Sequence, residues 1–263
     1  MTRGAKTMPN FDDLQFHIKC RPGDTGEYCI LPGDPGRCEK IASYFDEPRH
    51  LVQNREYNIY VGKLSGVPVS VCSTGIGGPS TAIAVEELFA CGTKNFIRIG
   101  TCGGIAEKVC SGDTVIASGA IRFEGTSREY APLEFPAVPD YEVLSAIVDA
   151  AKAMGNPYHV GVVQCKDSFY GQHSPARMPT HAFLEDRWEA WKRLGVLASE
   201  MESATLFTVC AALGARAGAL FNTVWNQERI KLGIDSPLVE SHDTSTAIRT
   251  AVNAIKLLIE RSK

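Results

Sequence analysis

The sequence has no paired cysteines, no apolar leader, no membrane-length hydrophobic run and no excess of basic charge. Its nine cysteines are an odd number, and no two form a C-x-x-C pair. Cys72, Cys91, Cys165 and Cys210 sit inside apolar runs, so they read as reduced core thiols of a cytoplasmic protein, which excludes a disulfide framework or a zinc ribbon. The first twenty residues, MTRGAKTMPNFDDLQFHIKC, hold no apolar stretch of the kind a secretory leader needs. The longest charge-free run, from Leu64 to Val85, is broken by glycines and prolines, whereas a membrane helix needs about 20 mostly apolar residues. The net charge of −3 leaves no basic field for nucleic acid or an acidic membrane surface. Any anion must therefore be caught by a few local Arg or Lys side chains. A G-x-x-x-x-G-K-[ST] loop, a G-x-S-x-G elbow and a G-x-G-x-x-G fingerprint are all missing. Those absences exclude a P-loop nucleotide hydrolase, a serine hydrolase of the elbow type and a dinucleotide-binding enzyme.

What is present is an ordinary globular chain of 263 residues, 44% hydrophobic and 22% charged, long enough to bury a core without staples. Short β-like runs alternate with longer helical ones, with no repeat and no linker. Tyr28–Leu31 reads as a strand, followed by a Gly/Pro turn and a helix from about Pro35. YNIYVGKLSGVPVSVCST reads as two strands joined at Ser65-Gly66, and GIGGPSTAIAVEELFACG as a glycine turn into a helix stopped by Gly92. NFIRIGTCGG, DTVIASGAIR, Tyr158–Cys165 and Arg216–Thr223 read as further strands. Tyr141–Met154 and Glu200–Leu213 read as helices, and Ile248, Val252, Ile255 and Ile259 mark a C-terminal helix. The alternation predicts one α/β domain over 1–263, with a mixed, largely parallel central sheet flanked by helices.

In such folds ligands sit at the carboxyl ends of the strands. Three glycine-rich segments follow strands: GDPGR (33–37), GIGG (75–78) and GTCGG (100–104). Bare glycines let backbone N–H groups approach an anion. Any one of these turns alone reads rather as a tight strand-to-helix connection; three of them, with Arg37 and Arg98 close by, favour an anion site. Arg98 lies in an apolar strand, where a guanidinium is costly unless paired, so a structural ion pair and an anion contact weigh about evenly. Thr101 adds a hydroxyl, and paired guanidiniums suit a phosphate dianion. Glu200 and Glu202 flank Met201 at the start of an apolar helix. Spacing alone favours helix capping. The alternative is a carboxylate accepting from vicinal sugar hydroxyls over an apolar Met201 floor.

Together FH (16–17), LPGDPGR (31–37), REY (55–57), VCSTGIGGPSTAIAVEEL (71–88), RIGTCGG (98–104), APLEFPAV (131–138) and EMESATL (200–206) resemble the nucleoside phosphorylase family, its uridine-cleaving members most closely. The resemblance covers almost the whole chain and implies cleavage of a nucleoside by inorganic phosphate as co-substrate, with no organic cofactor and no catalytic metal. It implies that Gly33, Arg37, Arg98 and Thr101 hold phosphate, with Arg55 arriving from a neighbouring subunit. It further implies that Glu202 holds the ribose diol, that Met201 packs on the sugar, that His17 reaches a neighbour's 5′-hydroxyl from an N-terminal arm (1–20), and that Phe169 stacks on the base. Glu56, Ile76 and Ser80 match positions that hold a structural monovalent cation such as potassium between subunits in some relatives. A dimer as the catalytic unit, within a homohexamer, follows from the same resemblance.

The departure lies in CKDSFYGQHSPARMP (165–179). Familiar bacterial members place a Gln and an Arg two residues apart soon after the Phe. Here Gln172 is followed by His173, and the next Arg is Arg177. Gln172 has a donor and an acceptor for uracil. Lys166, His173 or Arg177 supplies the second donor, with Lys166 and His173 favoured. Purine-cleaving relatives keep an Asp where this chain has Asn226. The competing readings are a purine phosphorylase or a nucleosidase of the same fold, and a non-enzymatic nucleoside or phosphate sensor.

Overall fold

The computed structural model describes residues 14–263. Its strands are β1 (Tyr28–Pro32), β2 (Asp46–Asn54), β3 (Tyr57–Leu64), β4 (Val67–Cys72), β5 (Asn95–Gly104), β6 (Thr114–Phe123), β7 (Tyr158–Lys166), β8 (Ala198–Glu200) and β9 (Arg216–Asn226). Its helices are α1 (Cys38–Ala42), α2 (Gly78–Ala90), α3 (Ser127–Tyr130), α4 (Tyr141–Met154), α5 (Phe169–His173), α6 (His181–Arg193), α7 (Ser203–Leu213), α8 (Gln227–Lys231) and α9 (Ser245–Arg261). The strands make one sheet in the order β2-β3-β4-β1-β5-β8-β7-β6-β9, and β5 also pairs with β9. Strands β5, β8, β7, β6 and β9 thus close into a ring. Parallel pairings join β1 to β4 and β5, β5 to β9, and β7 to β6 and β8. The sheet is mixed and mostly parallel, as the alternating pattern predicts.

Two apolar layers hold it. On one side α2 and α7 pack on β5 and β9 through Val85, Leu88, Leu206 and Phe207. On the other, α1, α4 and α9 pack through Ile41, Ile147, Ile248, Ile255 and Ile259. Each such side chain, once buried, contributes roughly 1.5–3 kcal/mol relative to exposure. Helix ends follow the expected chemistry. Asp140 caps α4 by accepting from Val143 N at 3.0 Å, and Gly155 ends it at φ 71°. The turn into α2 needs its glycines: Gly77 has φ 95°, and a Cβ on Gly78 would lie 2.5 Å from Thr126 Oγ1.

The structure differs from the sequence reading in four places. The helix expected from Glu200 begins at Ser203, because Ala198–Glu200 is a short strand wedged between β5 and β7. The helix expected from Pro35 opens as a 3-10 turn over Pro35–Arg37 before α1. Strand β2 carries no apolar alternation because it is an exposed edge. Helix α6 is exposed except for Trp188 and Trp191, which cover Ile105 and Val196. Among the described residues no helix is long and apolar enough to cross a membrane. All nine cysteines are free; eight are buried, and burial pushes Cys20, Cys29 and Cys38 up to about 12.

Candidate active site

Because β1, β4 and β5 run parallel, the turns that leave them gather at one end of the sheet. A cavity of about 740 Å³ opens there, and the ends of β7, β8 and β9 complete it. Gly33, Arg37, Ile76, Arg98, Thr101, Lys166, Phe169, His173, Glu200, Met201 and Glu202 all line it. Residues scattered from 33 to 202 in sequence therefore meet in one space.

Arg98 is 4% exposed on β5. Its Nη2 donates to Glu202 Oε2, and its Nε to Glu200 Oε2 at 3.3 Å. Its Nη1 is buried with no partner, and a Cβ on Gly33 would lie 3.8 Å from it. Burial opposes the guanidinium's charge, but Glu202 and Glu200 outweigh it and hold the pKa above the ordinary value. Arg37 faces the same space. Burial lowers its pKa and Arg98 adds to the fall, against Asp34, whose carboxylate lies 3.8 Å away. Two guanidiniums, one with an unused donor, thus converge beside a bare glycine, an arrangement suited to an anion.

The two carboxylates have different work. Glu200 accepts from Glu202 N at 2.9 Å and Ser203 N at 3.0 Å, so it caps α7 from the preceding strand. Glu202 caps nothing; it accepts from Gly77 N at 2.6 Å and from Arg98. Burial pushes the Glu202 carboxyl above its usual range, with Arg98 pulling it back and Glu200 adding to the rise. The capping expectation therefore holds for Glu200 alone.

At the other wall, Phe169 and His173 on α5 lie 4.3 Å apart between ring centroids, and His173 meets Trp225 at 5.6 Å. Burial, with Lys166 adding, pushes His173 down to about 4, so its imidazole is neutral at neutral pH and offers one donor and one acceptor. Lys166 Nζ donates to Ser199 Oγ at 2.6 Å, and burial lowers its pKa against the pull of Glu200 and Glu202.

The structure does not bring every expected residue here. Gln172 lines a second cavity, of about 370 Å³, behind Lys166. Arg177 lines neither cavity and lies over the Tyr170 ring at 4.9 Å. His17 and Arg55 are away from this chain's own cavity: His17 Nδ1 lies 2.7 Å from Glu87 Oε1, and Arg55 sits exposed at the β2–β3 turn at φ 54°. The two are neighbours, since Asn54 Nδ2 donates to the His17 carbonyl at 2.7 Å. Residues 1–13 of the expected arm lie outside the described residues. Ser80 Oγ donates to Glu56 Oε1 at 3.0 Å, which sets two hard oxygens together next to Ile76. Asn226 is 1% exposed: its Nδ2 donates to the carbonyls of Ala106 and Val109, and its Oδ1 caps α8. Its amide is spent on holding loops.

Sequence reasoning missed Ser199, His242, Asp34 and Cys102, which also line the cavity. Asp34 lay within a glycine turn already singled out. Ser199 belongs to a three-residue strand too short to show alternation, and His242 comes from a loop with no local pattern.

A cavity with two guanidiniums at a strand-end glycine turn and an aromatic wall opposite suits an anion together with a flat ring. The sequence model of the phosphorylase superfamily matches residues 27–258, and the chain belongs to that superfamily. It is 54% identical over 247 residues to a protein named uridine phosphorylase from Treponema pallidum, covering 94% of this chain and 95% of that one. It is 42% identical to a uridine phosphorylase of Thermococcus kodakarensis, over 95% and 88% of the two chains. It is also 39% identical to a guanosine phosphorylase of Halorubrum lacusprofundi, over 93% and 99%.

Proposed function

We propose that this chain is a uridine phosphorylase: it cleaves uridine, and 2′-deoxyuridine, with inorganic phosphate, giving uracil and the sugar 1-phosphate for pyrimidine salvage. The observation that carries the reading is the buried Arg98 Nη1, unpartnered beside Gly33 with Arg37 alongside. Phosphate bound by Gly33, Arg37, Arg98 and Thr101 lies against the anomeric carbon. As the glycosidic bond lengthens, the sugar gains oxocarbenium character, which the dianion stabilises before it bonds to C1′. Glu202 accepts from the ribose hydroxyls, and Met201 packs on the sugar. The base stacks on Phe169 and leaves as an anion, its charge met by donors from Lys166 and His173. Asn226 is an amide and supplies no proton to a purine N7, which favours a pyrimidine.

Two further parts of the proposal concern assembly. His17 and Arg55 complete a neighbour's site, so the working unit is a dimer, within a hexamer. In support, the pair lies off its own cavity, beside Phe16, which is 60% exposed. Glu56, Ser80 and the main chain at Ile76 would hold a monovalent cation, which would neutralise Glu56 at that contact. Activity is expected to fall as the protein is diluted below its dimer dissociation constant; a monomer with full activity overturns the shared site.

The test of the reaction is a nucleoside panel assayed for free base with and without phosphate. Uracil release is expected only with phosphate. A site that hydrogen-bonds the base rejects a mispaired one strongly, so the kcat/KM for uridine is expected to exceed that for inosine by about a hundredfold or more. A ratio below unity transfers the assignment to a purine enzyme, and equal release without phosphate transfers it to a nucleosidase.

A further inference from the structure

Among the described residues, Lys166 is the one lysine that lines both the cavity and the second cavity behind it, and it is 4% exposed. A lysine is a flexible stem carrying three donors and no acceptor. Something must fix where those donors point. Its Nζ donates to Ser199 Oγ at 2.6 Å. The same hydroxyl lies 2.7 Å from Gln164 Oε1 and 2.6 Å from Gln172 Oε1. A serine has one proton and two lone pairs, so it donates to one amide and accepts from Lys166 and from the other amide's Nε2. Ser199 itself cannot drift. Its backbone is pinned between β5 and β7, opposite Gly103 on one side and Gln164 on the other.

We infer that Ser199 is the positioning residue of the base site: it takes one N–H of Lys166 and thereby aims the other two at the carbonyl oxygens of the departing base. The inference rests on the proposed phosphorolysis. Gln172, which does not line the reaction cavity, then acts on the base indirectly, through Ser199 and Lys166. The device has a chemical consequence for substrate choice. An ammonium held this way offers donors only, so it matches the oxygens of uracil and opposes the exocyclic amine of cytosine.

Replacing Ser199 by alanine removes the acceptor and leaves two amides, the buried Gln164 and the half-buried Gln172, short of a partner. The titratable groups facing Lys166 stay as they are: the carboxyls of Glu200 and Glu202 on the adjoining segment, the buried thiols of Cys102 and Cys165 on β5 and β7, and the neutral imidazole of His173 on α5. Glu185, Glu189 and Lys231 face it across the second cavity. Burial then works on an ammonium with one contact fewer, so Lys166 deprotonates at lower pH. The kcat/KM for uridine is expected to fall about ten- to a hundredfold, the loss typical of a misplaced reacting group. The alkaline limb of its pH profile is expected to move to lower pH, while the KM for phosphate stays near that of the parent. Ser199→Thr, which keeps the hydroxyl, should restore both. The titration of the Lys166 ammonium, followed by NMR in the protein without nucleoside, reads the same contact independently of the reaction. If the parent protein fails to cleave uridine, the proposed function falls and this titration still decides the role of Ser199. If Ser199→Ala does not fold, Gln172→Leu removes the outer amide and is expected to shift the same resonance. An unmoved ammonium titration, in whichever of these variants folds, overturns the inference.

Discussion

Arg98→Ala is expected to abolish phosphate-dependent turnover and, at the same time, to weaken the fold. The sequence leaves an ion pair and an anion contact equally weighted for this residue; the structure shows the ion pairs and one guanidinium nitrogen in excess of them. Its Nε and Nη2 hold Glu200 and Glu202, and its Nη1 is left over. Removing one preorganised donor to a developing charge costs roughly 10²–10³ in kcat. Taking the cation away from two buried carboxylates costs roughly 3–5 kcal/mol of stability. Steady-state kinetics with varied phosphate, run well below the variant's Tm, separate the two losses. Arg98→Lys restores a charge without the planar fork, so it should recover more stability than turnover. Near-parental kcat/KM for phosphate in the alanine variant would make Arg98 merely structural.

The second large effect separates neighbours two residues apart. Glu202→Gln is expected to lower kcat by roughly two orders of magnitude, because a developing positive charge on the sugar loses a carboxylate. Two effects oppose each other in the stability of this variant. The folded-state pKa of Glu202 lies above the unfolded one, so its charged form disfavours folding as pH rises, and a neutral amide removes that cost. The amide keeps an oxygen for Gly77 N but sets its NH2 against Arg98 Nη2, so the buried guanidinium loses a partner and Tm is expected to fall. Glu200→Gln weakens the cap of α7 and should cost about 1 kcal/mol of stability, with a much smaller loss of kcat. Equal, small effects on turnover from both would reduce Glu202 to a structural acid. Thermal melts and kcat on the same preparations give the comparison directly.

The pattern of success in the sequence follows from the range of the forces involved. Strands β1, β5 and β9 and helices α4 and α9 were legible because apolar periodicity and the glycines that bound such runs act within a few residues. Edge strand β2 and the mostly solvated α6 were not, because neither shows an apolar face of any length. Glu200 and Glu202 illustrate the limit most clearly. Their spacing is the same whichever one caps the helix, and Arg98 bonds both; what separates them is that the distant Gly77 N engages Glu202 while Glu200 takes the N–H groups of α7. Gln172 shows a different limit. Its donor and acceptor were correctly counted, but the direction of a side chain on a five-residue helix depends on what stands behind it, here Ser199. His173 was legible as a base candidate, yet its neutrality needs the burial that Trp225 and Phe169 provide.

The ring formed by β5, β8, β7, β6 and β9 bears on how such a protein can change over generations. Arg98, Thr101, Ser199 and Glu200 stand on β5 and β8, strands that have a paired neighbour on both sides, so a substitution there can disturb neighbours in two directions. Phe169, Gln172 and His173 stand instead on a short helix outside it. On the proposed assignment of the site, mutations in α5 would alter which base is accepted without loosening the strands that carry Arg98, Thr101 and Glu200. Selection can therefore revise the preferred nucleoside while the bond-breaking chemistry is inherited intact, and base preference is the property expected to diverge first among descendants of this chain.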